Sequence, residues 1–388
     1  MENILQNKFE ELFKLKPEVV ASAPGRLNFI GEHVDYCAGL VLPFAIDYRT
    51  QVVISRRTDN KIAIYSMQMP GKILEIDIEK WNSYQGNKNW SSYVIGSIWA
   101  LGLFENVNFT GLNLVIDGNV PLGAGLSSSA ALEAAVVLAL NTLFELQFSL
   151  KQLALIAQKG ENEFVGVPCG IMDQSISLMA KANTALLLDC KDLSTSYVSL
   201  EFENADLELL AVDTMAHHSL ADGGYANRRR SVENAAAVLD INTLREITLN
   251  DYLSHRNKLD LETFQRGLHV VSEIQRVLEM VESLKNNNWS KVGELLTQSH
   301  NSLRDLYEVS CPELNCVVDI ALTNRALGAR MVGGGFGGSA IVLVAKSQVE
   351  NIKNEIFKAF KNNNFLTPRF FSTQSSRGAE IEFSSALN

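Results

Sequence analysis

Five of the six residues from 333 to 338 are glycine, in the run Gly333-Gly334-Gly335-Phe336-Gly337-Gly338-Ser339. A backbone stripped of side chains over that length takes positive φ repeatedly or admits a close neighbour. Its flanks, residues 329–332 and 340–344, are apolar, which a flexible linker is not. The turn therefore belongs inside a packed fold, beside something that approaches it. A second small-residue turn lies far upstream: Pro121-Leu122-Gly123-Ala124-Gly125-Leu126-Ser127-Ser128-Ser129-Ala130, between a strand-like and a helix-like stretch. A helix beginning there presents unpaired N–H groups and the positive end of its dipole, an anion site suited to phosphates, and the three serines add hydroxyls. No lysine follows the second glycine, so it is not a Walker loop. A tight strand–helix turn with a serine cap is the competing reading, and composition does not choose between them.

The chain is 388 residues long and 46% hydrophobic, enough for about two domains. Residues 3–15 have helical spacing. Strand-like runs follow at 19–22, 40–46, 51–55, 61–66 and 72–78. A helix is expected over 90–101, a strand over 111–117 and a helix over 127–143. A second helix over 150–164 has Ser149 and Gln152 as its capping box, and another starts near Asp173. Strands are expected at 184–189, 207–212 and 340–344 and around Phe370 and Ile381. This is an α+β pattern of two lobes with a cleft between them. The polar stretch 201–206 marks the boundary, giving an N-terminal lobe of 1–205 and a C-terminal lobe of 206–388.

A formal net charge of −10 argues against a general binder of nucleic acid or of anionic membrane. The most apolar stretch, residues 130–146, is interrupted by Glu133, Asn141 and Glu145, so no membrane span is expected. The first residues lack a basic region followed by an apolar core, so no signal peptide is expected. The five cysteines form no C-x-x-C pair, and their odd number fits reduced thiols in a cytoplasmic protein.

Three further segments carry chemistry. Gly25-Arg26-Leu27-Asn28-Phe29-Ile30-Gly31-Glu32-His33-Val34-Asp35-Tyr36 gathers fixed donors and acceptors of the kind that read sugar hydroxyls. Glu32, His33 and Asp35 could also ligate a cation, though at no standard zinc spacing, or form a solvated loop. In Gly170-Ile171-Met172-Asp173-Gln174 the aspartate is a helix N-cap or a functional carboxylate. Trp90 and Tyr93 share a helix face, suited to a base pocket or to core packing.

Taken in register, these segments resemble the GHMP kinase superfamily in its galactokinase form, from about residue 18 to the C-terminus. The resemblance rests on P-L-G-A-G-L-S-S-S-A-A-L, on residues 25–36, on G-V-P-C-G-I-M-D-Q-S and on G-A-R-M-V-G-G-G-F-G-G. It implies a two-lobed GHMP kinase fold with mixed sheets and an active site in the cleft. It also implies a sugar 1-kinase passing the ATP γ-phosphate to the anomeric hydroxyl of galactose, giving galactose 1-phosphate and ADP. Asp173 would accept the hydroxyl proton, with Arg26 beside it. Glu32, His33, Asp35, Gly170 and Tyr225 would meet the sugar. Residues Gly123, Ala124, Gly125, Leu126, Ser127, Ser128 and Ser129, with Trp90, Tyr93, Gly334 and Gly335, would meet ATP. Ser128 and Glu161, twelve residues before Asp173, would hold Mg²⁺. The implied partners are small molecules alone, with the chain a monomer or weak homo-oligomer.

Departures from the family pattern are Phe29 for an aliphatic residue, Cys37-Ala38-Gly39 for Asn-x-Gly, and Gly223-Gly224 for Ser-Glu within the segment 218–230. They leave kinases for N-acetylgalactosamine, galacturonate or arabinose open as alternatives. Galactokinase-like sensors have damaged serine loops, and the loop here is intact. Mevalonate-type kinases lack the segment 26–36.

Overall fold

The computed structural model describes residues 4–105, 110–217 and 221–385. The chain opens with α1 (Ile4–Phe13), β1 (Val19–Asn28), β2 (Leu40–Val41), β3 (Pro43–Arg56), β4 (Lys61–Ser66), β5 (Leu74–Asp77), α2 (Trp90–Glu105) and β6 (Leu112–Gly118). Next come α3 (Ser128–Leu143), α4 (Leu150–Lys159), α5 (Met172–Met179), β7 (Thr184–Asp189), β8 (Ser194–Ser199) and β9 (Leu207–His217). The remainder is α6 (Ala221–Val238), α7 (Leu249–Ser254), α8 (Leu261–Lys285), α9 (Trp289–Asp305), α10 (Pro312–Thr323), β10 (Gly328–Val332), β11 (Gly337–Ala345), α11 (Val349–Asn362), β12 (Arg369–Ser372) and β13 (Glu380–Ser384). His218, Ser219 and Leu220 of the segment 218–230 lie outside the described residues.

A six-stranded sheet runs β13-β1-β3-β6-β4-β5, antiparallel except where β4 lies parallel to β6. Both faces are covered, which is why all ten residues of β1 are buried. On one face Val20, Val53 and Val115 pack with Leu5 and Phe9 of α1. On the other, Val19, Ala21, Val52, Ile54 and Leu114 join the main core, which includes the small residues of α3. A second, antiparallel sheet runs β10-β11-β9-β12, and α10 packs against β10, β11 and β9. The small sheet β2-β7-β8 completes the set.

Four differences from the sequence reading have physical causes. The runs 40–46 and 51–55 are not two strands, because β3 passes unbroken through Asp47, Tyr48 and Arg49. Those residues are polar because they face outward, and Arg49 is held by Ser22 and by the carbonyls of Arg377 and Gly378. The polar strand β8 shows no hydrophobic alternation, since Val198 is its sole buried residue, and its pairing with β7 defines it. The helix expected over 150–164 is capped by Ser149 and Gln152, but at Gly160 it opens into a π-turn, Gly160–Val165, which re-aims Glu161. Finally, β13 pairs with β1, so the end of the chain crosses the 205/206 division and closes the first sheet.

Within the C-terminal half α9 packs closely on β10, where a Cβ added to Gly328 would collide with the backbone of Gly293. Gly328→Ala is expected to lower stability by roughly 1–3 kcal/mol through overpacking. A lower urea midpoint at unchanged slope is the measurement.

Candidate active site

The site is built at the bulge of β1 between Pro24 and Arg26. The Arg26 backbone N–H donates to the Leu126 carbonyl at 3.0 Å, tying β1 to the small-residue loop. Its guanidinium, almost wholly buried, donates from Nε to Asp173 Oδ1 at 2.8 Å and from Nη2 to Oδ2 at 2.7 Å. Nη1 donates to the Gly125 carbonyl at 2.6 Å. Ser127 Oγ donates a short bond to Asp173 Oδ2. Asp173 is therefore no N-cap: Ile171 holds that position, and the carboxylate turns away to three donors from two distant elements. Its side chain keeps 27% exposure, so it stays reachable. The pair with Arg26 is charge-assisted and bidentate.

The two glycine-rich turns meet here. Gly125 and Gly333 both adopt positive φ, 72° and 80°, and a Cβ on Gly333 would lie 3.5 Å from the Gly125 carbonyl oxygen. Ser339 Oγ donates to the Ala124 carbonyl at 2.6 Å. Gly123 supplies a further positive φ of 74°. Gly335 lies against Val309 rather than on a cavity.

Two cavities flank this junction. The first, about 560 Å³, gathers the polar and charged side chains of Arg26, Glu32, His33, Asp35, Lys88, Cys169, Asp173 and Tyr225 beside Gly170, Gly334 and apolar residues such as Val167 and Met172. Burial, and then the charge of Asp173, push the Asp35 carboxyl up to about 7. A Cβ on Gly170 would overlap that carboxylate, so the position needs glycine. Burial pushes the Glu32 carboxyl up as well, opposed by Arg330, with which it forms a buried ion pair. The second cavity, about 350 Å³, is mostly apolar and is lined by Trp90, Tyr93, Leu132, Ser128 and Ser129 among others. Trp90 and Tyr93 thus face a cavity, as the base-pocket reading requires.

Glu161 lines neither cavity. It is buried against Gln174, whose Nε2 donates to Glu161 Oε2 at 2.6 Å and to Glu133 Oε2 at 3.1 Å. Burial, followed by the charge of Asp173, raises its carboxyl to about 7. Glu133 Oε1 is buried without a hydrogen-bond partner.

Sequence reasoning did not single out Arg330, Lys88 or Gln174. A lone arginine inside the apolar strand Gly328–Val332 was a visible signal, because a buried guanidinium demands a partner. Lys88 and Gln174 carried none.

Family comparison agrees with this architecture. The model described as GHMP kinases N terminal domain matches residues 92–181, and that described as GHMP kinases C terminal matches 280–362. The Galactokinase galactose-binding signature matches residues 7–56. The chain thus has the GHMP kinase fold. It is 41% identical to a galactokinase of Streptomyces coelicolor over 374 residues, 96% of each chain. It is 38% identical to a galactokinase of Homo sapiens over 384 residues, 96% of this chain and 94% of that one. The structure of Lactococcus lactis galactokinase complexed with galactose superposes with a TM-score of 0.92 at 32% identity, covering 97% of this chain and 98% of the other. The chain belongs to the galactokinase family.

Arg330→Met strands the Glu32 carboxylate in a buried site and is expected to cost about 3–5 kcal/mol of stability. Adding Glu32→Gln should recover most of that loss in urea unfolding.

Proposed function

We propose that this protein is an ATP-dependent galactose 1-kinase, which transfers the γ-phosphate of ATP to the anomeric hydroxyl of galactose and releases galactose 1-phosphate and ADP. The observation that carries this reading is the pair of unlike cavities beside one carboxylate, Asp173, gripped by Arg26 and Ser127. The polar cavity suits a sugar and the apolar one an adenine, with the serine loop at its edge. Asp173 accepts the proton of the attacking hydroxyl, and Arg26, bonded to both its oxygens, faces the transferring phosphoryl. Glu32, Asp35, His33, Tyr225 and the backbone of Gly170 hold the sugar. Trp90 and Tyr93 hold the base, the loop 123–129 holds the phosphates, and Gly334 closes the far side.

The donors are the hard oxygens that a divalent cation takes, although Glu161 lies against Gln174 and lines neither cavity. The Ser128 hydroxyl opens α3, and the carboxylates of Glu161 and Glu133 meet in the buried interior with one Glu133 oxygen unpartnered. Ser128 and Glu161 would hold Mg²⁺ brought in on the triphosphate, as one or two protein oxygens usually do. A cation held there would supply neutralisation of the phosphate charge. No helix of the described residues is long and apolar enough to cross a membrane. Five cysteines free of disulfides suit the reducing cytoplasm.

ADP release with Mg²⁺, ATP and a panel of sugars tests the assignment, galactose being the expected best substrate. Asp173→Ala should lower turnover by roughly 10²–10⁴-fold while ADP still binds. Near-full turnover in that variant would remove Asp173 from the chemistry. The raised carboxyl of Asp35 generates a second expectation. Its ionised form accepts hydroxyl protons, so galactose binding favours loss of the carboxyl proton, and affinity rises with pH through about 7. Titration calorimetry from about pH 6 to about pH 8 should show affinity rising by about tenfold, and Asp35→Asn should abolish the slope.

A further inference from the structure

The ring of His33 touches no charged side chain by hydrogen bond, yet both its nitrogens are engaged. Nε2 lies 3.2 Å from the Gly334 carbonyl oxygen, and Nδ1 lies 3.0 Å from the Tyr36 hydroxyl. Burial, then the neighbouring His269, pull the His33 pKa down to about 3, so the ring is neutral at ordinary pH. A neutral imidazole has one N–H and one lone pair. A carbonyl oxygen accepts, so the proton sits on Nε2. Nδ1 then accepts from Tyr36. Tyr36 has one proton and has spent it, so at the 2.7 Å contact between the two phenols Tyr307 is the donor. Burial raises both phenols well above their usual pKa and keeps them protonated. The donor chain runs one way, from Tyr307 to Tyr36 to His33 to Gly334.

Its two ends differ in place. His33 and Gly334 line the polar cavity, whereas Tyr36 and Tyr307 do not. Tyr307 is fully buried on a loop that Arg228 grips at the carbonyls of Tyr307 and Glu308. The Tyr307 ring also packs on His33 and His269 at centroid distances of 5.0 and 4.4 Å.

We propose that Tyr36, backed by Tyr307, is a positioning residue for sugar recognition, which presents His33 to the cavity as a hydrogen-bond donor through Nε2. A hydroxyl that displaces the Gly334 carbonyl at this edge can only accept from it. The same hydroxyl can then give its own proton to the acidic residues of that cavity, Glu32 and Asp35. A flipped tautomer would face the sugar with a lone pair, in a cavity whose carboxylates already supply acceptors. This rests on the assignment of His33 to the sugar.

The test uses the full chain, with galactose as the probe. Tyr36→Phe should weaken galactose affinity by about threefold to tenfold, the worth of one hydrogen bond. The change should fall on the galactose KM rather than on kcat or the ATP KM. With galactose bound in place of the Gly334 carbonyl, the ¹⁵N resonances of His33 in that variant should lose the Nε2–H pattern, a signature that mere packing loss would not move. Tyr307→Phe, should Tyr36→Phe fold poorly, gives a smaller shift in the same direction. Combined with His33→Ala, Tyr36→Phe should add no further loss. His33→Ala with wild-type galactose affinity would overturn the sugar role of His33 and the relay with it. A weakened His33→Ala alongside an indifferent Tyr36→Phe, or costs that simply add, would overturn the relay alone.

Discussion

The contact on which the remainder depends is the grip of Arg26 on Asp173. One arginine bonds the carboxylate on α5 with two of its donors, the Gly125 carbonyl with a third, and the Leu126 carbonyl with its backbone N–H. Three elements far apart in sequence are thereby set against each other to within a hydrogen bond. Taking such a charge out of water is costly, and only complete partnering offsets it. The loop is consequently positioned through its carbonyls. In a Walker loop a lysine supplies the charge at the phosphates; here the nearest cation belongs to the sugar signature, and it is already committed to the carboxylate.

A second buried pair repeats the principle at the other end of the polar cavity. Arg330 reaches from the second sheet to Glu32, and to the carbonyls of Asn28 and Phe29. Beneath it, Glu273 of α8 accepts from the N–H groups of Gly31 and Glu32. Burial opposes the charge of Glu273, but Arg276 and its other partners hold the carboxyl at about 2. The sugar signature thus lies between elements of both halves. Hydrophobic packing brings the elements together without specifying direction, whereas these paired charges fix register.

Contiguous segments were legible in the sequence, and long-range partners were not. A glycine run with apolar flanks, a serine loop before an apolar helix and a cluster of polar residues after a strand each show themselves within a dozen positions. The capping box at Ser149 and Gln152 did so as well. Arg330 meets Glu32 across 298 positions with no local pattern to mark the pair, and Arg26 meets Asp173 across 147, a pairing that the family resemblance alone implied. The closure of the first sheet by β13 was hidden for the same reason, since strand pairing is decided by packing rather than by the strand's own residues. The π-turn at Gly160 was unreadable because its residues suit an ordinary helix. Its consequence, Glu161 turned inward against Gln174, arises only once α5 is docked.

The departures from the family pattern that bear on sugar identity can be weighed by where they lie. Cys37 is buried, its sulfur lies 3.8 Å from the His33 carbonyl, and it does not line the polar cavity. Gly224 is pressed by the Phe336 ring, where an added Cβ would come within 2.6 Å of two ring carbons. Phe336, at φ 57° in the third glycine turn, is fixed by its N–H donating to the Val309 carbonyl at 2.7 Å. Glycine at 224 and phenylalanine at 336 are thus one steric arrangement, and the bulk lost from one is supplied by the other. Neither Cys37 nor Gly224 lines the polar cavity. Glu32, His33 and Asp35, which do line the cavity, fall within residues 7–56, the stretch that matches the galactokinase galactose-binding signature.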